Sequence, residues 1–267
     1  MDVLTPHTLD EALGLKAGRP DALPIQGGTD VLVALNFDRA RPEAILNLSE
    51  VAELKGWSRE NGTVRLGAGL TYTEAMREPL AGLLPALAEA SRTVGSPQIR
   101  NRGTIGGNLG TCSPAGDALP PLFVEGAEIE VASVRGTRLV PIAEFMVGPK
   151  RSSLAPDELI TAVLVRPSGA RQTFMKVGPR NAMVIAVCSL ALAADRERDE
   201  LRAAFGSAGP VVGLVIAPFE ERDSFAQRVA AAARPIDDVR GTAAYRRHAL
   251  RVLAARALER CAALESR

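Results

Sequence analysis

Between Ser96 and Pro121 the chain shows neither helical nor strand periodicity; Gly, Asn, Ser and Pro crowd the segment instead. Compact domains rarely carry a connection of that length unless it binds something, so this stretch is where ligand contacts are expected. Inside it lies Gly103-Thr104-Ile105-Gly106-Gly107-Asn108, followed by Ser113-Pro114-Ala115-Gly116-Asp117. A second glycine pair stands far upstream, in Ile25-Gln26-Gly27-Gly28-Thr29-Asp30. Paired glycines let backbone approach a ligand, and the upstream pair opens a predicted helix over Thr29 to Leu35 whose free N–H groups favour an anion. Both segments read as anion cradles, and a pyrophosphate has oxygens enough for two. The competing reading is an ordinary tight turn, which weighs more for the first pair than for the second.

Common nucleotide signatures do not account for these loops. Gly67-Ala68-Gly69 follows a predicted strand and precedes a predicted helix, but Tyr72 stands where a Rossmann fingerprint requires its third glycine, so this triplet reads as a strand-end turn. Neither loop ends in Gly-Lys-Ser/Thr, which removes the phosphate-loop NTPases. A formal net charge of +1 gives no field toward nucleic acid or an anionic membrane. The cysteines, Cys112, Cys188 and Cys261, lack the spacing of a zinc ribbon or an iron–sulfur cluster. His7 and His248 have no acidic or thiol partner at metal spacing and read as structural, so no metal ligand is expected here. The start, with Asp2 and Asp10, is not that of a leader, and no apolar run is long enough for a span, so a cytoplasmic protein is expected.

A length of 267 residues favours two packed units. Helices are predicted over Thr8 to Lys16, Tyr72 to Met76 and Leu83 to Ala90. Strands are predicted over Asp21 to Ile25, Ala44 to Leu46, Val64 to Leu66, Ala127 to Val134 and Leu159 to Val165. Arg166-Pro167-Ser168-Gly169 is the best composition break, which puts a boundary near Ser168. Beyond it come three strand-like runs (Thr173 to Val177, Ile185 to Ala194, Leu201 to Ser207), then helices over Ser224 to Ala233 and Gly241 to Ala263. The expectation is an α+β chain: residues 1–168 in two lobes, about 1–53 and 54–168, and a small C-terminal α+β domain, 169–267, with a three-stranded antiparallel sheet. Tyr245, Arg246 and Arg251 on the last helix form a basic, partly apolar face that reads as a solvated surface or a subunit contact, with the surface favoured.

The glycine segments, with Gly148-Pro149-Lys150, Pro156-Asp157-Glu158-Leu159-Ile160, Phe174-Met175-Lys176 and Arg180 to Ala182, resemble the FAD-binding subunits of molybdenum hydroxylases, the xanthine dehydrogenase and carbon monoxide dehydrogenase flavoproteins. The resemblance spans most of the chain and is weakest in the C-terminal helices. It implies a two-lobed FAD-binding fold of the vanillyl-alcohol oxidase type, closed by the C-terminal domain. By this similarity Ile25, Gln26, Gly27, Gly28, Thr29 and Asp30 wrap the pyrophosphate from one lobe, and Thr104, Ile105, Gly106, Gly107 and Asn108 from the other. Ser113 follows, and Asp117 meets flavin-side hydroxyls; Asp117 also reads as an N-cap for the helix after it. Val94 and Ile160 supply apolar contacts. Lys176 falls beside the isoalloxazine, where a cation favours the reduced form, although an edge-strand lysine is more commonly solvated. Gln26 departs from the small residue common before the glycine pair, and Gly116 is a second departure.

The implied function is electron transfer. FAD receives electrons from [2Fe-2S] clusters on an iron–sulfur subunit, downstream of a molybdopterin-binding large subunit, and NAD or oxygen takes them away. Two clusters require about eight thiolates, more than this chain has, so clusters and molybdenum belong to partners. Gly148-Pro149-Lys150 is closer to the purine oxidisers than to the carbon monoxide oxidisers. Rival readings are a carbon monoxide dehydrogenase medium subunit, a free-standing flavin oxidoreductase, for which no catalytic base stands out, and a flavin-free scaffold.

Overall fold

The computed structural model describes residues 1–265, with side chains to 263. The chain opens with β1 (Asp2–Leu4), α1 (Leu9–Gly18), β2 (Leu23–Ile25), α2 (Val31–Asn36) and β3 (Ala44–Asn47). Thr8 starts α1 by accepting from Glu11 N at 3.2 Å, an N-cap that offsets one orphan amide. The three strands form a parallel sheet in the order β1-β3-β2, so β2 ends at Ile25 and the first glycine pair leaves the sheet at that end.

The second layer comprises β4 (Trp57–Glu60), β5 (Thr63–Gly67), α3 (Tyr72–Ala75), α4 (Leu80–Leu83), α5 (Pro85–Thr93), α6 (Pro97–Arg100), α7 (Ile105–Thr111), α8 (Leu119–Val124), β6 (Glu128–Ser133), β7 (Gly136–Pro141), α9 (Ile142–Phe145), β8 (Met146–Gly148), β9 (Arg151–Ser152) and β10 (Leu159–Val165). Its antiparallel sheet runs β4-β5-β10-β6-β7, with β8 and β9 a separate hairpin. The apolar run of Leu159–Val165, interrupted only by the buried Thr161, suits the central strand, which is buried on both faces. The aperiodic segment from Ser96 resolves into short pieces. Four residues in α6 and seven in α7 are too few to show a 3.6-residue period, which is why pattern alone did not find them.

The third sheet is a meander of β11 (Arg171–Val177), β12 (Cys188–Asp195), β13 (Glu200–Gly206) and β14 (Gly213–Ala217), backed by α10 (Arg222–Ala232) and α11 (Ala243–Glu265). It has four strands where the sequence predicts three. β14 begins at Gly213, three residues after the Gly209-Pro210 pair, and is only five residues long. All of β12 is buried, and its two faces serve different cores. Leu190 and Leu192 join Phe225 and Leu250 beneath the C-terminal helices, whereas Ala191 and Ala193 join Leu66, Ile105, Leu119 and Phe174 in the main core. Each fully buried Leu or Phe contributes about 1.5–3 kcal/mol.

Arg246 also departs from expectation. Tyr245 and Arg251 are exposed, but Arg246 is only 2 % exposed. Its guanidinium donates to Ser207 O at 2.6 Å and pairs with Asp238, a carboxyl held far below its usual range by Arg240 first and by Arg246 as well. The backbone carbonyl that recruits Arg246 lies across the domain, out of reach of a reading along the helix.

Candidate functional site

The two glycine segments meet backbone to backbone. A methyl group on Gly27 would lie 1.7 Å from Arg102 O, so the first loop rests directly on the entrance to the second. Gly28 has φ +74°, a left-handed conformation that completes the turn. Asp30 Oδ2 accepts from Thr111 Oγ1 at 2.8 Å, tying the far end of the first loop to the end of α7. The predicted helix over Thr29 to Leu35 begins at Val31, runs six residues and buries none of them, so α2 offers loop amides more than a sizeable helix dipole. The Gln26 amide turns inward; a methyl on Gly69 would lie 2.7 Å from its Nε2.

The second segment is seated on the strand-end turn at Gly67 to Leu70. Gly106 N donates to Ala68 O at 2.8 Å and Ile105 N to Leu70 O at 2.9 Å. A methyl on Gly106 would fall 2.6 Å from both Ala68 O and Ala68 Cβ, so only glycine permits this seat. Thr104 caps α7 by accepting from Gly107 N at 3.0 Å. Gly107 itself faces outward: it is exposed, and the sole neighbour of an added methyl would be Thr104 Oγ1 at 3.0 Å. Beside it, Asn108 Oδ1 is buried and has no hydrogen-bond partner among the described residues. An unpaired buried acceptor costs about 1–3 kcal/mol, and a donor arriving from a ligand would relieve it.

From α7 the chain passes through the turn at Ser113 to Gly116 onto the third sheet, where Pro114 O accepts from Ser207 N at 2.7 Å. It then reaches Asp117, which is not the N-cap of α8; Ala118 holds that position without a side-chain cap. Asp117 Oδ2 instead accepts from Lys176 Nζ at 2.6 Å and from Thr93 Oγ1 at 3.4 Å, while Oδ1 is buried without a partner among the described residues. Lys176 also donates to Thr93 O at 3.2 Å. The solvated edge-strand reading of Lys176 therefore fails, since both side chains of the pair are less than one tenth exposed. Burial pushes the Asp117 carboxyl up, against the opposing pull of the Lys176 ammonium. Alongside the pair opens a cavity of about 360 Å³ bounded by Thr93, Lys176 and the loop from Val177 to Val184, within the range of small-molecule sites.

Other predicted residues fall around this seam. Ile25 and Thr29 are partly buried on the first loop, and Ile160 lies beneath α7, 3.9 Å from where a methyl on Gly110 would be. Val94 terminates α5 and its carbonyl accepts from Arg100 Nη1 at 3.1 Å. Ser113 serves its own turn, accepting from Ala115 N at its hydroxyl and Gly116 N at its carbonyl. Gly116 has a reason: a methyl there would lie 2.7 Å from Asn108 Oδ1. Sequence reasoning missed Thr93 and Tyr72. Tyr72 packs its ring on Gly103, and its hydroxyl is pushed up by burial first, then by the carboxylates of Asp117 and Asp30. The sequence signal for Tyr72 is a large aromatic three residues after Gly69, close to a glycine turn.

Two lobes joined through glycine backbone, with the exposed Gly107 on the seam and a third sheet bounding a cavity beside the Lys176–Asp117 pair, are the frame of a dinucleotide-binding flavoprotein fold. Residues 1–167 match the family described as the FAD binding domain in molybdopterin dehydrogenase. The chain belongs to that family, the FAD-binding medium subunits of the molybdenum hydroxylases, and is an oxidoreductase subunit. It is 36% identical over 211 residues to the putative xanthine dehydrogenase FAD-binding subunit of Escherichia coli K12, covering 76% of this chain and 72% of that one. It is also 36% identical to the nicotinate dehydrogenase FAD-subunit of Eubacterium barkeri, over 70% of this chain and 66% of the other. Among solved structures, carbon monoxide dehydrogenase from Hydrogenophaga pseudoflava superposes with a TM-score of 0.91 at 25% identity, over 98% of this chain and 97% of that chain. Among the described residues no helix is long and apolar enough to cross a membrane.

Proposed function

We propose that this chain is the electron-transfer subunit of a xanthine dehydrogenase-type complex, holding FAD along the seam between its lobes. The observation that carries the reading is the exposed backbone at Gly107, on a segment that also holds two buried acceptors, Asn108 Oδ1 and Asp117 Oδ1, which find no donor among the described residues and which ligand hydroxyls would satisfy. In this reading Ile25 to Asp30 and Thr104 to Asn108 hold the pyrophosphate from both sides. Ser113 and Asp117 face flavin-side hydroxyls, Val94 and Ile160 lend apolar contact, and Lys176 sets the charge at the wall of the cavity. FAD, when bound, supplies the redox chemistry that no side chain here can perform. The protein's part is to orient it, keep water from the buried pair and fix the local charge. Residues 1–168, in lobes of about 1–53 and 54–168, form the FAD-binding domain, and 169–267 form the domain that closes it.

Electrons enter from [2Fe-2S] clusters of an iron–sulfur subunit fed by a molybdopterin-binding large subunit, and leave to NAD or oxygen, in the cytoplasm. The buried free thiols support assigning the clusters to partners: Cys112 donates to Arg151 O at 3.2 Å, and burial pushes Cys188 up to about 12, so neither is poised as a thiolate ligand. The purified chain alone is expected to be yellow and to oxidise no purine, and mixing with its partner subunits is expected to restore substrate-dependent reduction of NAD or oxygen. Purine oxidation by the single chain, with no partner detectable by mass spectrometry, overturns the assignment.

Gly107→Val tests the site itself. A branched side chain on the outward face of α7 takes the space assigned to the pyrophosphate, while disturbing only Thr104 inside the protein. FAD affinity is expected to fall by about 100-fold, equivalent to roughly 2.7 kcal/mol, with the far-ultraviolet circular dichroism retained. Full flavin content in the purified variant means that the second loop does not approach the cofactor.

A further inference from the structure

The edge of the third sheet is held by a side chain that neither glycine loop includes. Strand β11 has β12 on one side and, among the described residues, no strand on the other, so its outward backbone groups need other partners. Helix α5 supplies them. Glu89 Oε2 accepts from Phe174 N at 2.7 Å and from Thr173 Oγ1 at 2.9 Å, and both of those residues are buried. Glu89 Oε1 accepts from Arg260 Nη2 of α11 at 2.8 Å. One helical turn further along α5, Thr93 holds Lys176 through its carbonyl. Helix and strand are thus gripped at two points: Glu89 on Thr173 and Phe174, and Thr93 on Lys176. The second grip alone borders the cavity.

We propose that Glu89 is a positioning residue: its carboxylate fixes the height of β11 along α5 and thereby seats Lys176 against Asp117 at the cavity wall. A charged acceptor binding an amide and a hydroxyl is stronger than a neutral one, and the strand's other contacts before Lys176, Cys261 Sγ on Arg171 O and Gln172 Nε2 on Glu125 Oε1, lie at its first two residues. Without Glu89, β11 can slide or tilt on α5, and the Lys176–Asp117 contact is the first thing displaced. The proposal rests on the FAD reading for its functional consequence but not for its structural one, and the two are tested apart.

The variants are Glu89→Ala, Glu89→Gln, which keeps an acceptor, and Arg260→Ala as a control that removes only the half-exposed outer partner. In the flavin-free chain, hydrogen exchange of the Met175 to Gly178 stretch, beyond the amide that Glu89 itself binds, is expected to accelerate about tenfold in Glu89→Ala, the weight of one charge-assisted hydrogen bond. β6 and β10 should stay unchanged. Glu89→Gln is expected to recover most of the protection and Arg260→Ala to show none of the loss. In the holoprotein, Glu89→Ala is expected to weaken FAD binding about tenfold and to alter the flavin's visible spectrum, with Glu89→Gln again intermediate. Unchanged exchange in Glu89→Ala overturns the proposal whether or not FAD binds. Accelerated exchange with unchanged FAD affinity and spectrum overturns its functional half. A wild-type chain that binds no FAD overturns the function proposed above instead, leaving the exchange result to decide on Glu89.

Discussion

Gly27→Ala is expected to separate the lobes along their seam and to cost at least about 4 kcal/mol, the range reserved for backbone collisions and lost cores. The added methyl would sit 1.7 Å from Arg102 O and 2.5 Å from Arg102 C, and neither belongs to a side chain that can rotate away. One loop must lift off the other, and the Asp30–Thr111 hydrogen bond at 2.8 Å goes with it. The expected outcome is a lowered urea midpoint, loss of FAD retention and new proteolytic cleavage near Arg102. Gly107→Val makes the contrast: it loses the cofactor and keeps the fold, because Gly27 faces protein and Gly107 faces outward. A Gly27→Ala protein with wild-type stability means that the two loops do not touch as described.

Lys176→Met is expected to destabilise the protein by about 3–5 kcal/mol at pH 8, the usual cost of removing one partner from a buried ion pair. Asp117 would then be a carboxylate with a donor only from Thr93 Oγ1, inside the junction of α5, α8 and β11. Burial already holds its carboxyl above the ordinary range, and loss of the ammonium removes the main opposing influence. A group whose folded value is raised adds stability below its unfolded value and loses it as pH rises through the folded one. The deficit should therefore shrink from pH 8 to pH 5, as urea titrations at the two values would reveal. Lys176→Met combined with Asp117→Asn should recover most of the loss. A deficit independent of pH means that the pair is not the origin of the destabilisation. In the FAD-loaded protein the two charges act oppositely: Lys176→Met should lower the reduction potential and Asp117→Asn should raise it. The sequence alone suggests a free cation; in the fold, Lys176 and Asp117 largely cancel, and the potential depends on their balance.

The elements legible from sequence were those whose pattern is long enough to repeat. The apolar run of Leu159–Val165, the alternation around Val64 and Leu66, and the alanine-rich last helix all declare themselves locally, because burial on one or both faces selects residues at fixed intervals. The glycine segments declare themselves for a related reason, since close backbone approach admits no other residue, whatever lies opposite. Family membership followed from those same residues.

What lies opposite was decided by tertiary structure. Nothing along the chain says that Gly27 meets Arg102, that Gly106 sits on Ala68, or that Asp117 turns away from capping α8 toward a lysine in the third sheet. Glu89 and Arg246 look like surface charges on helices, yet one grips the backbone of β11 and the other is 2 % exposed on Ser207 O. The physical reason is common to these cases. A backbone carbonyl or amide left unpaired by a sheet edge or a turn has no sequence signature, because every residue carries the same two groups. Local pattern therefore determined the elements and the glycine cradles, while the recruitment of Asp117, Lys176, Glu89 and Arg246 depended on which backbone groups and charges the assembled fold left unsatisfied.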